Sequence, residues 1–180
     1  MLRLVIKAVE YYDEINDVFV DQNETVLELE HSLVSLSKWE SFFEKPFLSK
    51  NDKTHEEILW YVRAMCLDPN VPPEVFSRLD EEHLTEINNY INKKMTATRF
   101  YDIGGEKKNT EIITAELIYY WMIAFTIPVE FQHWHLERLL TLIRVCNLKN
   151  SKPKKMSRAE WAAKQRAINE QRLAELGTTG

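Results

Sequence analysis

The first thirty residues alternate between apolar and polar. Leu2, Leu4 and Ile6 interleave with Arg3, Val5 and Lys7, Val18 and Val20 repeat the spacing, and Leu27 and Leu29 flank Glu28. A period of two predicts short strands with one face toward a core. The polar stretch from Glu10 to Asn16 reads as a connection, and Asp21-Gln22-Asn23-Glu24 as a turn whose side chains bond their own backbone. Two or three short antiparallel strands do not stand alone in water. They must lean on helices from the rest of the chain.

From Ser32 the period becomes helical. Leu33, Leu36, Trp39 and Phe43 recur every three or four residues until Pro46 stops the run. Thr54 and Glu57 form a capping box for a helix with Ile58, Tyr61, Val62 and Met65 on one face. After Asp68-Pro69 and Pro72-Pro73, a short helical turn is expected to Leu79, and Asp80 caps a helix bearing Leu84, Ile87 and Ile91. Residues 95–108 look irregular. Thr110 is expected to open a helix running from Ile112 to Thr126, apolar almost all round and therefore central, with Trp121 in the core. Pro128 should start another, to Cys146, with Phe131, Trp134, Leu139, Leu142, Ile143 and Val145 inward and Asn147 as its C-cap. Ser157 and Glu160 form a further capping box, for a helix ending at Leu176 before Gly177.

The expected fold class is α+β, mostly α: a short N-terminal antiparallel hairpin packed on a helical bundle, with a separate C-terminal helix. Residues 1–147 form the body, with the hairpin region in 1–30 and the bundle in 32–147. A basic linker covers 148–156, and the C-terminal helix and tail cover 157–180.

Charge sharpens this division. The 180 residues carry a formal net charge of −5. The last thirty hold seven Lys/Arg and three Glu, net +4, which leaves residues 1–150 at −9. An acidic body with a basic tail suits head-to-tail association, or partners of opposite sign at its two ends. Composition removes other classes. Four glycines, of which only Gly104 and Gly105 adjoin, exclude the Gly-rich nucleotide-binding loops. No apolar run reaches the roughly 20 residues of a membrane span, and charge breaks the N-terminus too soon for a secretion signal. Cys66 and Cys146 stand far apart with no CxxC, so neither a disulfide framework nor a cysteine zinc site is indicated. The chain reads as cytosolic and reduced.

Candidate chemistry is sparse. Glu130 and His133 stand one helical turn apart, with Glu137 four residues on, which is half of the pattern of di-iron carboxylate bundles. The matching half is missing, since Glu28 and His31 lie in the strand region and Asp80 and His83 at a helix start. The competing reading puts these acids and histidines on a solvated face, or one histidine hydrogen-bonded inside the core. The two cysteines sit in apolar helical context, where a free thiol is normally a small core residue. No serine stands in a nucleophile-elbow pattern. This leaves an enzyme reading, a metal-carboxylate helical protein, with little behind it, and implies neither catalytic residues nor a cofactor or metal.

The basic tail offers Lys152, Lys154, Lys155, Arg158, Lys164, Arg166 and Arg172, with Trp161 among them, as partner-binding residues. Such a segment can neutralise phosphates and stack a base, but a body at −9 repels a polyanion, which argues for an acidic protein surface instead. Tyr119-Tyr120-Trp121 and His133-Trp134-His135 add aromatics of the kind that serve interfaces and cores alike.

Most of the chain resembles a family of small proteins from tailed bacteriophages. The resemblance rests on Leu29-Glu30-His31-Ser32-Leu33-Val34-Ser35-Leu36-Ser37-Lys38-Trp39-Glu40, on Glu116-Leu117-Ile118-Tyr119-Tyr120-Trp121-Met122, and on the run His133-Trp134-His135-Leu136-Glu137-Arg138-Leu139-Leu140 continuing to Asn147. The Pro153-Lys154-Lys155-Met156-Ser157 linker and the basic helix ending near Leu176-Gly177-Thr178 share it. The family is that of tail assembly chaperones, encoded just before the tape-measure protein. The resemblance implies a small acidic protein of short strands followed by helices, which self-associates in the host cytoplasm. It implies binding to the long helical tape-measure protein, which is kept soluble, and recruitment of tail-tube subunits. Many members also have a longer, frameshifted form. The ordered basic helix after the linker departs from a simple chaperone and suits a structural virion subunit of the neck, tail or baseplate.

Overall fold

In the computed structural model, residues 1–13, 17–100, 111–151 and 157–177 are described. The N-terminus forms one long antiparallel ribbon. β1 (Leu2–Ile6) pairs with β4 (Thr25–Leu29), and between them β2 (Val9–Asp13) pairs with β3 (Val18–Gln22). Leu2 faces Leu29 and Ile6 faces Thr25, while Val9 faces Gln22 and Asp13 faces Val18. Both ladders keep the same register, so they are two stretches of one hairpin interrupted at residues 7–8 and 23–24. Arg78 sits at the interruption, its guanidinium donating to the Lys7 carbonyl and, at 3.4 Å, to the Asn23 carbonyl. Half of the polar stretch expected to be a connection is thus strand, and Asp21 and Gln22 belong to β3 rather than to a turn. The alternation in β1 and β4 behaves as expected. Leu4, Ile6, Leu27 and Leu29 are buried, and Arg3, Val5 and Val26 stay outside.

The helices are α1 (Leu33–Phe43), α2 (His55–Met65), α3 (Pro73–Phe76), α4 (Glu81–Ile91), α5 (Ala115–Ala124), α6 (Leu136–Asn150) and α7 (Arg158–Leu176), with a 3-10 turn at Val129–His133 before α6. The mostly helical α+β class holds, with the hairpin at the N-terminus and α7 a separate helix. α1, α2 and α4 each start where a side chain meets the first free N–H groups, whereas α3 starts at a proline pair with no side-chain cap. Ser32 caps α1 with a Ser35 capping box, Thr54 caps α2 with Glu57, and Asp80 caps α4 with His83.

The core gathers Leu33, Leu36 and Trp39 from α1, Tyr61, Val62 and Met65 from α2, and Leu136, Leu139 and Ile143 from α6. Ile87 and Tyr90 of α4 and Ala115, Ile118 and Met122 of α5 complete it. Some expected core positions lie outside it. Ile58 is exposed, Leu84, Ile91, Leu142 and Val145 are only half-buried, and Trp121 is half-buried too. The central helix is α1, which packs on α2, α5 and the 3-10 turn. α5 is not central. Its buried residues occupy one face, and Ile112, Tyr120 and Ile123 are exposed.

The chain between α5 and α6 also differs from expectation. The segment after Pro128 makes a 3-10 turn, and the true helix starts only after His135, because residues 31–32 and 135–136 pair edge to edge. The Leu136 N–H donates to the His31 carbonyl at 2.8 Å. On its other side the same segment meets the end of α2, with Glu30 N–H to Met65 carbonyl and Leu67 N–H to Glu28 carbonyl, each at 2.9 Å. Residues 28–32 are therefore the hub that ties the hairpin to two helices. α6 runs on to Asn150 and ends at Ser151, so the linker begins three residues later than expected, and Asn147 lies inside the helix. Thr114 caps α5, and Thr110, expected in that role, lies outside the described residues.

One buried acid holds two distant pieces together. Glu40 of α1 accepts from the Phe47 N–H at 2.8 Å and from the Ala115 N–H, at the first turn of α5, at 2.7 Å. A carboxylate at a helix N-terminus is favoured by the free N–H groups and the dipole there. Glu40→Gln should destabilise the fold by about 1–3 kcal/mol, because an amide has one acceptor where two are needed and leaves one buried donor unmatched. Urea unfolding measures this. A variant as stable as wild type would mean that the two N–H groups find other partners.

Candidate partner-binding surfaces

α7 carries the charged residues singled out in the sequence. Arg158, Arg166 and Arg172 are exposed, as is the indole of Trp161 at 55%. Lys164 lies on the same helix, its side chain not among those described, and Lys152, Lys154 and Lys155 lie outside the described residues. Among the described side chains of α7 none is buried, and Ile168 is half-buried. Ser157 stands before the first turn, its carbonyl accepting the Trp161 N–H at 3.0 Å, and Gly177 closes the helix at φ +63°. The Glu160 side chain, the other half of the expected capping box, is not among those described.

The sequence reading missed the outer face of α5. Ala115, Ile118 and Met122 turn inward, so Glu116, Tyr120, Ile123 and Ala124 line the opposite side at spacings of three and four. Ile123 is 78% exposed and Tyr120 63%, more than the other large apolar side chains described. Ile112 and Glu111, just before the helix, are exposed as well. A helix apolar on all sides normally has neighbours on all sides. Here the side carrying Glu116, Tyr120, Ile123 and Ala124 faces water.

The residues of the metal reading separate. Glu130 and His133, three apart on the 3-10 turn, still share a side, but Glu137 lies on a different element, α6, and all three are exposed. Among the described residues no three His, Cys, Asp or Glu side chains are grouped to hold a metal ion. The other alternative, a histidine bonded within the core, describes His135. Its ring is buried, with Nε2 donating to the Tyr90 carbonyl at 3.1 Å and Nδ1 buried without a partner. His31 lies against it, ring centroids 5.2 Å apart, and its Nδ1 is 2.6 Å from the Tyr61 hydroxyl. Burial, with the neighbouring His135, pushes the His31 pKa down to about 3, and burial also lowers that of His135. Burial raises the Tyr90 hydroxyl, which donates to Glu30, itself 2.8 Å from the N-terminal ammonium. This cluster joins the hub to α2, α4 and α6.

The cysteines are half-buried free thiols. Burial pushes the Cys66 thiol up, away from the thiolate that a nucleophile requires. Beside Trp134, which stacks on Phe131 with ring centroids 4.0 Å apart, the Arg138 guanidinium lies 3.9 Å from the indole. No helix among the described residues is long and apolar enough to cross a membrane. No family model, curated protein or solved structure matches this chain.

Proposed function

We propose that this chain is a non-enzymatic tail-morphogenesis protein of a tailed bacteriophage, an assembly chaperone that binds the tape-measure protein and recruits tail-tube subunits. The observation that carries the reading is the outer face of α5, where Tyr120 and Ile123 stand in water on a helix with the composition of a core. Exposed apolar surface of this kind marks binding sites on soluble proteins. The long exposed basic helix α7 supports the same reading, since it offers a second surface and an anchor in Trp161. A client that is itself a long amphipathic helix matches such faces by helix-on-helix packing.

The test is co-expression with the tape-measure protein. The soluble fraction of that client should rise several-fold in the presence of this chain, and Ile123→Asp should cancel the gain. No gain in solubility would sink the chaperone reading. Mass spectrometry of mature particles should then find the chain absent, whereas a fixed copy number would assign it to the virion as a neck, tail or baseplate subunit.

A further inference from the structure

We propose that the outer edge of β1 is a strand-addition site, which takes an extended peptide carrying basic side chains at alternate positions. The inference goes beyond the tail-assembly reading and does not depend on it. Among the described residues β1 has one neighbour in its sheet, β4. The far side of β4 is already used, since the Glu28 carbonyl accepts from the Leu67 N–H and the Glu30 N–H donates to the Met65 carbonyl. Successive residues of a strand turn their backbone groups to opposite sides, so Thr25, Leu27 and Leu29 turn theirs toward β1. Their partners in register are Ile6, Leu4 and Leu2. Arg3 and Val5 therefore direct their N–H and carbonyl groups to the open edge, where no backbone bond meets them among the described residues. Lys7 falls in the same phase, and there the Arg78 guanidinium already donates to the carbonyl, as an added strand would.

A groove of about 450 Å³ runs along this edge, with Arg3, Val5 and Lys7 on one wall and Asp80, Glu82 and Glu86 on the other. Asp80 is bound to His83, whereas Glu82 and Glu86 make no ion pair among the described residues. α4 packs on β1, and Leu4, Ile6, Ile87 and Tyr90 share the core. In an added strand, the residues opposite Leu4 and Ile6 lie on the side of α4, where Glu82 and Glu86 call for basic side chains. The residue opposite Arg3 lies on the other face and favours an acid. A second copy of β1 is the wrong occupant. Antiparallel pairing of two such edges about Val5 sets Arg3 of each against Lys7 of the other, like charges directly opposed.

The experiment measures the fluorescence anisotropy of a labelled peptide, Thr-Lys-Val-Lys-Glu-Thr, with the full chain at low salt. Antiparallel to β1, the peptide sets its valine opposite Val5, its lysines opposite Ile6 and Leu4, and its glutamate opposite Arg3. Wild type should bind it saturably. Two further peptides should each bind about tenfold more weakly: the charge-reversed Thr-Glu-Val-Glu-Lys-Thr, and a form methylated on the valine nitrogen, which removes the N–H offered to the Val5 carbonyl. Glu82 and Glu86 are exposed, so the double variant Glu82→Lys, Glu86→Lys should keep the wild-type circular dichroism and exchange the preference between the two charged peptides. No saturable binding to wild type would overturn the proposal. So would a methylated peptide that binds as well as its parent, since charge attraction alone would then be at work, or a preference that the double variant leaves unchanged. A dimer in sedimentation that excludes the peptide would give the edge to a second copy and overturn it too.

Discussion

Replacing Trp39 by alanine should destabilise the fold by roughly 3–5 kcal/mol, the loss usual for a large aromatic removed from a packed interior. The indole is 2% exposed on α1, the helix at the centre of the body. Its ring packs against Phe43 and Phe47, with centroids 4.9 and 5.1 Å away, and its N–H donates to the Glu57 carbonyl at 3.0 Å. Alanine therefore removes packing between α1 and the loop at Phe47, and with it the indole's hydrogen bond to the first turn of α2. Trp39→Phe should fall between the two, since it restores most of the volume but not the hydrogen bond. Urea unfolding followed by far-ultraviolet circular dichroism checks both, as a shift in midpoint at constant slope. Trp121→Ala should be clearly milder, because that ring is only half-buried. Equal losses at the two tryptophans would mean that α5 is as central as its composition suggests.

The contrast between these tryptophans shows which parts of the fold are legible in the sequence. Strand periodicity in β1 and β4 and the capping residues Ser32, Thr54 and Asp80 are local signals, and the structure follows them. β2 is different. It is a strand because it continues the register of a hairpin already set by β1 and β4, and register is a property of two segments rather than of one. α5 misleads for a related reason. Composition reports how much apolar surface a helix carries, not how many neighbours exist to cover it. A helix that is apolar all round reads the same whether its last third meets this chain or another. The break at His135 is hidden as well, since nothing in the spacing of Phe131, Trp134 and Leu139 says that a backbone pairing with Ser32 will interrupt the helix there. Of the residues proposed to bind a partner, Trp161, Arg158 and Arg166 could be picked out by charge and aromaticity. Tyr120 and Ile123 could not, because their signal is exposure.

Acid should weaken the body well above the pH at which its carboxylates protonate. His31 and His135 are buried against each other at the hub, and each carries its lowered pKa chiefly because burial disfavours the cation. The groups facing them are the Tyr61 hydroxyl from α2, the Tyr90 carbonyl and hydroxyl from α4, Ser35 from α1, and Glu30 with the N-terminal ammonium. Glu30 and Glu137 favour the His135 cation, but burial outweighs them. An unfolded chain takes up the His31 proton near pH 6.5, whereas the folded chain resists to about 3. The unfolded state therefore binds more protons in between, so stability is full above that range and falls as pH drops through it. At about 1.4 kcal/mol per pH unit, His31 alone removes about 2 kcal/mol by pH 5. Glu57, held low by the hydrogen bond from Lys45, and Asp80, held low by the His83 N–H, add their losses only below the ordinary carboxylate range. Between pH 6.5 and 5 the loss belongs to the histidines. Unfolding free energies measured in urea at pH 7.5, 6.5, 5.5 and 5.0 should show that slope, and His31→Gln, which keeps a partner for Tyr61 but cannot titrate, should flatten it by about one proton. A slope that His31→Gln leaves unchanged would mean that the pair protonates without opening the junction, and that the cation finds a partner inside the fold.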